Sequence, residues 1–386
     1  MSAVPVGIVP PVTREAIAAA VLAREDVAKY LKGTDGESDA DAQARVVAYL
    51  DELQTTQRYR FYRALAHPLY PILRKVERIY EHGEHAQEAV TNGHVVWVSN
   101  HKSHLDYLVE PLALDDLGIR PPLVAAGINL FGGALGFIHR HVTGAIPIRR
   151  NSKDPAYLMT LRGYVAEVLT RKDVLYYAEG GRSYSGELKS PKTGLLQAAL
   201  HADRTHLYVV PMAIAYDLVL EDRILARQAA TRRKQPFAKE FAEMVRHAVG
   251  FRTRAFVTFG QKIPLIEYDP ESRRDLVALA HRIQREIGLL HKILPTALVC
   301  ATVRPQMTRV ELASRIDDLL GSLREQHANI GVTDGRQAVD EGVEALIERG
   351  VLVSARQHLR VRDRIVLKYY ARSIDHLMPA RPRIVH

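Results

Sequence analysis

The sequence predicts an α/β fold, a mixed sheet covered by helices, from two observations. Short, nearly continuous apolar runs rich in β-branched and aromatic residues recur between positions 94 and 266. They are Val95-Val96-Trp97-Val98, Val174-Leu175-Tyr176-Tyr177, Leu207-Tyr208-Val209-Val210 and Ala255-Phe256-Val257-Thr258-Phe259. Helical stretches such as 156–170 and 193–202 lie between several of them. Strands without polar alternation belong in a sheet buried on both faces, and alternation with helices supplies the covering layers.

The flanking regions are helical. Residues 1–90 form an N-terminal helical region. Ala16-Ile17-Ala18-Ala19-Ala20-Val21 opens one helix, residues 44–66 read as another, and a Gly/Asp/Ser-rich link at 33–39 separates them. Residues 91–295 hold the alternating α/β segment and end in an amphipathic helix over 269–291. Residues 296–386 form a mainly helical C-terminal region. A hairpin at 352–361, turning near Arg356-Gln357-His358, gives this region a winged-helix-like pattern.

Composition narrows the function classes. The chain has 386 residues, 47% apolar and 25% charged, enough for a substantial core. A single cysteine, Cys300, excludes an internal disulfide framework and argues against a Cys-rich metal site. No metal site is expected. The first 12 residues lack a signal-peptide pattern, having no Lys or Arg before a proline-interrupted apolar stretch. The one long uncharged run, 121–138, is 18 residues with four glycines and two prolines. It reads as a strand, a Gly-rich loop and a short helix rather than a membrane span. A shallow membrane-contacting segment is the alternative. The formal charge is +9, and residues 223–254 hold nine Lys or Arg against two Glu. Such a face suits nucleic acid, anionic lipid, an acidic carrier or plain solvent.

Four segments carry chemistry. Ser99-Asn100-His101-Lys102-Ser103-His104-Leu105-Asp106-Tyr107 follows the first strand. A His and an Asp five residues apart are about 500° apart on a helix, so they do not share a helical face. They meet if His101 sits in the turn before a helix and Asp106 in its first turn. His101 is then a neutral base and Asp106 its orienting partner. Ser103-x-x-Asp106 equally fits a capping box with no catalysis. His104 is a second candidate base. Gly144 to Arg150 ends in Arg149 and Arg150, suited to a phosphate. Ala178-Glu179-Gly180-Gly181-Arg182-Ser183-Tyr184-Ser185-Gly186, followed by Lys192-Thr193-Gly194, is a loop whose glycines allow close backbone approach to an anion. Arg182 and Lys192 add charge there, and Glu179 suits a polyol. It matches neither a P-loop nor a dinucleotide fingerprint. Val209 to Asp217 reads as core, with Pro211 suggesting an edge or a strand start.

In this order and spacing the four segments resemble the blocks of the glycerolipid acyltransferase superfamily, closest to the bacterial membrane-associated glycerol-3-phosphate 1-O-acyltransferases. His101-x4-Asp106 matches the first block and Gly144 to Arg150 the second. Glu179 to Gly186 with Pro191 to Gly194 matches the third, and Val210 to Asp217 the fourth. Gly127-Ile128-Asn129-Leu130 and Tyr369-Tyr370-Ala371-Arg372-Ser373-Ile374 resemble further stretches of that subfamily. Pro147, Tyr184 and Asp217 depart from its usual aromatic, basic and Glu residues.

The resemblance implies a glycerol-3-phosphate acyltransferase-like fold and transfer of a fatty acyl group to the sn-1 hydroxyl of glycerol 3-phosphate in phospholipid synthesis. The donor is acyl-CoA or acyl-carrier protein, as a co-substrate, with no other cofactor. It casts His101 as general base and Asp106 as its partner. Arg149 and Arg182, ahead of Arg150 and Lys192, hold phosphate, with Glu179 and Gly180 in the acceptor site. Dihydroxyacetone phosphate or a lysophospholipid is the alternative acceptor. A basic nucleic-acid- or membrane-binding protein is the non-enzymatic alternative, with nucleic acid disfavoured because basic and aromatic residues are not interleaved. Peripheral attachment to the cytoplasmic side of an anionic membrane is expected.

Overall fold

The structure is a computed structural model that describes residues 14–33, 36–58, 61, 76–231, 253–355 and 358–378. The expected turn at 356–357, most of the basic 223–254 stretch and the end of the expected 44–66 helix lie outside the described residues.

Among them are the strands β1 (Val76–Glu81), β2 (His94–Ser99), β3 (Leu123–Gly127), β4 (Ala145–Ile148), β5 (Val174–Tyr177), β6 (Leu207–Tyr216), β7 (Thr253–Phe259) and β8 (Ile263–Pro264), then β9 (Met307–Thr308), β10 (Leu352–Ala355) and β11 (His358–Val361). The main sheet has the order β1-β7-β6-β2-β5-β3-β4, with β8 also paired to β6. Strands β6, β2, β5, β3 and β4 run parallel, while β7 and β8 pair antiparallel with β6. The sheet is therefore mixed and mainly parallel, as the apolar runs predict.

Side chains alternate across it. Val95 and Trp97 of β2, and Leu175 and Tyr177 of β5, enter one core layer. Val96, Val98, Val174 and Tyr176 enter the other. The first layer is closed by the Asp106–Asp116 helix together with the C-terminal helices Pro295–Thr302, Arg309–Glu325, Gly335–Glu348 and Arg364–Arg372. The second is closed by the N-terminal helices and by Pro155–Leu169 and Arg273–Leu290. Both faces of β2 and β5 are dry, which is why neither strand shows a polar alternation.

Local chemistry explains most helix starts. Asp154 accepts hydrogen bonds from Ala156 N and Tyr157 N, with Pro155 at the first helical position. Ser272 caps Arg273–Leu290, and Thr308 with Glu311 forms a capping box. The N-terminal helix expected at 44–66 runs instead from Asp39 to Leu53, capped by Ser38. Beyond it the chain pairs with the end of the Gly133–His141 helix and the residue that follows it. Thr56 N donates to Arg140 O at 2.9 Å and Arg58 N to Val142 O at 3.0 Å. Backbone bonds to that segment replace the helical ladder there.

Pro211 proves to lie inside the sheet. Strand β6 pairs with β8 through Val209 and with β7 from Met212 onward. Pro211 falls at the change of partner, where the missing N–H interrupts neither ladder. The hairpin expected at 352–361 forms as β10 and β11, and β9 completes a small three-stranded sheet.

Candidate active site

The parallel strands bring the sequence segments to one edge. Ser99, the last residue of β2, pairs with Tyr177 at the end of β5 and with Met212 in β6. Strand β6 continues four residues past that level to Tyr216. The loops after β2, β5 and β4 therefore share the carboxyl edge, where open α/β sheets bind ligands.

His101 sits in the turn after β2, and Asp106 opens the following helix. His101 Nδ1 lies 2.8 Å from Asp106 Oδ2. Lys102 N and Ser103 N donate to the same oxygen at 2.6 and 2.9 Å, and Tyr216 Oη donates to Oδ1 at 2.8 Å. Four donors thus converge on the fully buried Asp106 carboxylate. A carboxylate acceptor on Nδ1 places the proton there and leaves Nε2 as the basic atom. The capping box forms only in half: Asp106 accepts from Ser103 N, but Ser103 Oγ accepts from Leu105 N at 3.1 Å rather than from Asp106 N, and the helix has no side-chain cap.

The His101 ring stacks on Tyr177, centroids 3.9 Å apart and planes at 11°. Its side chain is 12% exposed. Burial pushes its pKa down to about 4, overcoming the upward pull of Asp106. The imidazole is therefore neutral at neutral pH, as a base requires.

Several residues that sequence reading did not single out build this turn. Asn100 is buried and exchanges two hydrogen bonds with the Ile214 backbone, at 3.0 and 2.8 Å. Glu221 accepts from Ser103 Oγ at 3.0 Å and from His104 N at 2.6 Å. Glu110, fully buried, accepts from Ser99 Oγ. Burial, and then the Asp106 charge, hold the Glu110 carboxyl well above the usual carboxylate range. His104 is buried with its backbone tied to Glu221.

The third segment braces the turn. Glu179 Oε1 accepts from His101 N at 3.3 Å, and Oε2 from Lys189 N at 3.4 Å. Burial raises its pKa to about 7, against the pull of Lys102. Glu179 thus faces protein backbone rather than open space. Gly180 has φ +66°, and an added Cβ would meet Lys192 Cγ at 3.0 Å. Lys192 is exposed, and its N–H donates to Ala178 O at 2.7 Å. Arg182 lies over Tyr184, 5.3 Å from the ring centroid, and its charge acts on both His101 and Arg150.

The paired arginines divide. Arg149 Nε donates to Glu52 at 2.7 Å, and its guanidinium lies 5.0 and 5.2 Å from the rings of Tyr49 and Tyr157. Arg150 turns the other way and lines a cleft with His101 and Tyr177. The preference for Arg149 over Arg150 is thus reversed by geometry, because Glu52 on the N-terminal helix holds Arg149. Asp217 in the fourth segment accepts from Arg254 Nε at 3.0 Å and Thr253 Oγ1 at 2.7 Å, joining β6 to β7. Its neighbour Tyr216 is the residue that reaches Asp106.

The cleft is narrow, with a cavity volume of about 40 Å³, and is mainly apolar. Pro111, Pro122, Val124, Ala126, Leu130 and Ala145 supply much of its wall. A base at one end, a guanidinium beside it and apolar walls beyond can activate an alcohol next to a bound aliphatic chain. Among the described residues no cluster of His, Cys, Asp and Glu is arranged to hold a metal.

Residues 78–215 match the family model described as Acyltransferase. A glycerol-3-phosphate acyltransferase from Aeromonas hydrophila subsp. hydrophila is 29% identical over 91% of this chain and 48% of its own length. Another of that name, from Shewanella pealeana, is 27% identical over 95% of this chain and 50% of its own. The chain spans about half the length of the curated relatives it matches. Among solved structures, the 1-acyl-sn-glycerophosphate acyltransferase PlsC from Thermotoga maritima aligns at TM-score 0.34 and 14% identity, over 68% of this chain and 85% of that one, too weakly to carry an argument. Residues 78–215 are thus similar to the Acyltransferase family, and most of the chain is similar to about half the length of the glycerol-3-phosphate acyltransferases.

Proposed function

We propose that this protein is an O-acyltransferase that moves a fatty acyl group from a thioester to the sn-1 hydroxyl of glycerol 3-phosphate, giving lysophosphatidic acid. The observation that carries the reading is the His101–Asp106 pair, with neutral imidazole, opening on an apolar cleft flanked by Arg150. His101 Nε2 takes the proton of the acceptor hydroxyl as its oxygen attacks the thioester carbon. The carbon–sulfur bond then breaks, and the leaving thiolate takes the proton back from His101. Asp106 stabilises the imidazolium in between. No covalent acyl-enzyme is required. Cys300 is buried, and burial pushes its thiol far above the range of a nucleophile.

The apolar cleft suits the acyl chain. Arg150 and Arg182 suit the phosphate, and Glu179 and Gly180 shape the acceptor loop. Names of the relatives support glycerol 3-phosphate as acceptor. Acyl-CoA and acyl-carrier protein remain the two donors to compare.

Peripheral attachment to the cytoplasmic face of a membrane completes the proposal. Among the described residues no helix is long and apolar enough to cross a membrane. Phe137 is 62% exposed and Ile128 39%, on the segments that follow β3. Exposed apolar side chains next to an acyl-binding cleft suit a lipid surface.

The test is product analysis with labelled acyl-CoA or acyl-carrier protein and an acceptor panel. Sn-1 lysophosphatidate formed fastest from glycerol 3-phosphate supports the proposal. Faster turnover with dihydroxyacetone phosphate or a lysophospholipid overturns the acceptor.

A further inference from the structure

His139, like Tyr107 and Thr143, is a polar side chain in the lining of the apolar cleft that the reaction does not use. His139 lies near the end of the Gly133–His141 helix and lines the cleft together with His101, Val124 and Ala145. It is 2% exposed. Its Nε2 is buried and has no hydrogen-bond partner among the described residues. Tyr107 and Phe131 present ring edges or faces to it, with centroids 5.2 and 6.4 Å away. Thr143, the nearest hydroxyl-bearing neighbour along the chain, gives its proton to the His139 carbonyl at 2.9 Å and not to the ring.

A buried imidazole nitrogen without a partner is costly to keep. Leu or Phe would fill the same volume in an apolar wall without that cost. Burial pushes the ring down to about 4, so it is neutral near neutral pH and has one donor and one acceptor nitrogen. A neutral imidazole in an apolar wall pairs well with a neutral hydrogen-bonding group on the ligand.

Resting on the acyltransfer reading, we infer that His139 makes the cleft selective for an acyl chain that carries a hydroxyl group. A plain aliphatic chain leaves Nε2 buried and unpaired, whereas a hydroxylated chain satisfies it. Sites with a buried polar group discriminate against ligands that lack its partner.

The experiment compares myristic acid with a positional series of hydroxymyristic acids by calorimetric titration of the full chain. The CoA thioesters of the same acids are compared by kcat/KM. The expected result is a preference of about tenfold or more for one hydroxyl position, in both readouts. His139→Leu should abolish that preference while leaving the plain chain as good or better. His139→Gln, which keeps a hydrogen-bonding group, should retain part of it. Equal binding across the whole series in the unaltered protein overturns the inference, whether or not His139→Leu folds. So does a preference that survives His139→Leu. If no thioester turns over at all, the acyltransfer reading fails, and the acid titration still decides the role of His139.

Discussion

At the scale of the residue, the charge state of His101 is set by burial more than by its carboxylate partner. The ring is held near 4 against a reference of 6.5, so its basic form persists well below neutrality. The acidic limb of the kcat profile should therefore fall near 4, and a limb near 6.5 would show that the imidazole is more solvated than the structure has it. Glu179 behaves in the opposite sense. Its carboxyl is raised to about 7, so the stability it contributes is full below its unfolded value of about 4.5 and is lost as pH rises through 7. Urea midpoints measured across about pH 5–8 should decline less in Glu179→Gln than in the parent protein. The two arginines give a third contrast. Arg150→Ala should raise KM for the phosphorylated acceptor about tenfold or more, the scale of a lost charge-assisted bond. Arg149→Ala should leave KM near the parent value and lower thermal stability, because Arg149 is committed to Glu52.

How much of this was legible in the sequence depends on chain separation. His101 and Asp106 are five positions apart, so one strand–turn–helix unit brings them together, and their spacing alone announces it. Asn100 reaches Ile214, Ser103 reaches Glu221, and Asp106 reaches Tyr216, all across more than a hundred positions. Those partners are set by β6 lying beside β2, which no local pattern encodes. Tyr216 was visible only as one more apolar residue of a strand. Which way Arg149 and Arg150 point is not legible locally, because Arg149 is held by Glu52, 97 positions earlier. Glu179 was assigned to a polyol because an acidic residue in a Gly-rich loop suggests a ligand, whereas its oxygens meet backbone N–H groups of the same site.

At the scale of the element, the helix Arg364–Arg372 is tied to the loops that follow β2 and β5. Tyr369 O lies where a Cβ on Gly186 would sit, 1.9 Å away, and Gly186 has φ +89°. Lys102 Nζ donates to Gly186 O at 2.6 Å, and Arg372 pairs with Glu187 at 3.0 Å. Tyr370 Oη bonds Asp222 at 2.7 Å. Asp222 is also held by Arg349, whose Nε lies 3.0 Å from Oδ2 in a buried pair. Asp222 immediately follows Glu221, the residue that holds the His101 turn. Removing Arg349 leaves a buried carboxylate short of its cation, which typically costs 3–5 kcal/mol, so Arg349→Ala should unfold at clearly lower urea. An unchanged midpoint would mean that Tyr370 alone satisfies Asp222. The late Tyr369-Tyr370-Ala371-Arg372 stretch stood out in the sequence only by resemblance. Its contacts give it a physical reason: the tail completes the core layer on which the Asp106 helix rests.

At the scale of the whole molecule, an apolar cleft, the His101 imidazole and two guanidinium groups lie at one edge of a mainly parallel sheet. The fold class was legible because continuous apolar strands admit few other arrangements. The cleft was not legible, since its wall combines prolines 111 and 122 with β3, β4 and the helix between them. Surface residues near the cleft predict how the protein meets lipid. Phe137→Ser should weaken sedimentation with anionic vesicles while leaving turnover of a short-chain, soluble thioester unchanged. Equal sedimentation of the two proteins would move the membrane contact elsewhere. The central claim is that His101 activates the acceptor alcohol, and it is tested most directly by thioester consumption with a long-chain acyl-CoA, with and without glycerol 3-phosphate, in the parent protein and in His101→Ala. The account predicts acceptor-dependent turnover that falls by about 10²–10⁴-fold in the variant. Turnover that survives His101→Ala would contradict it.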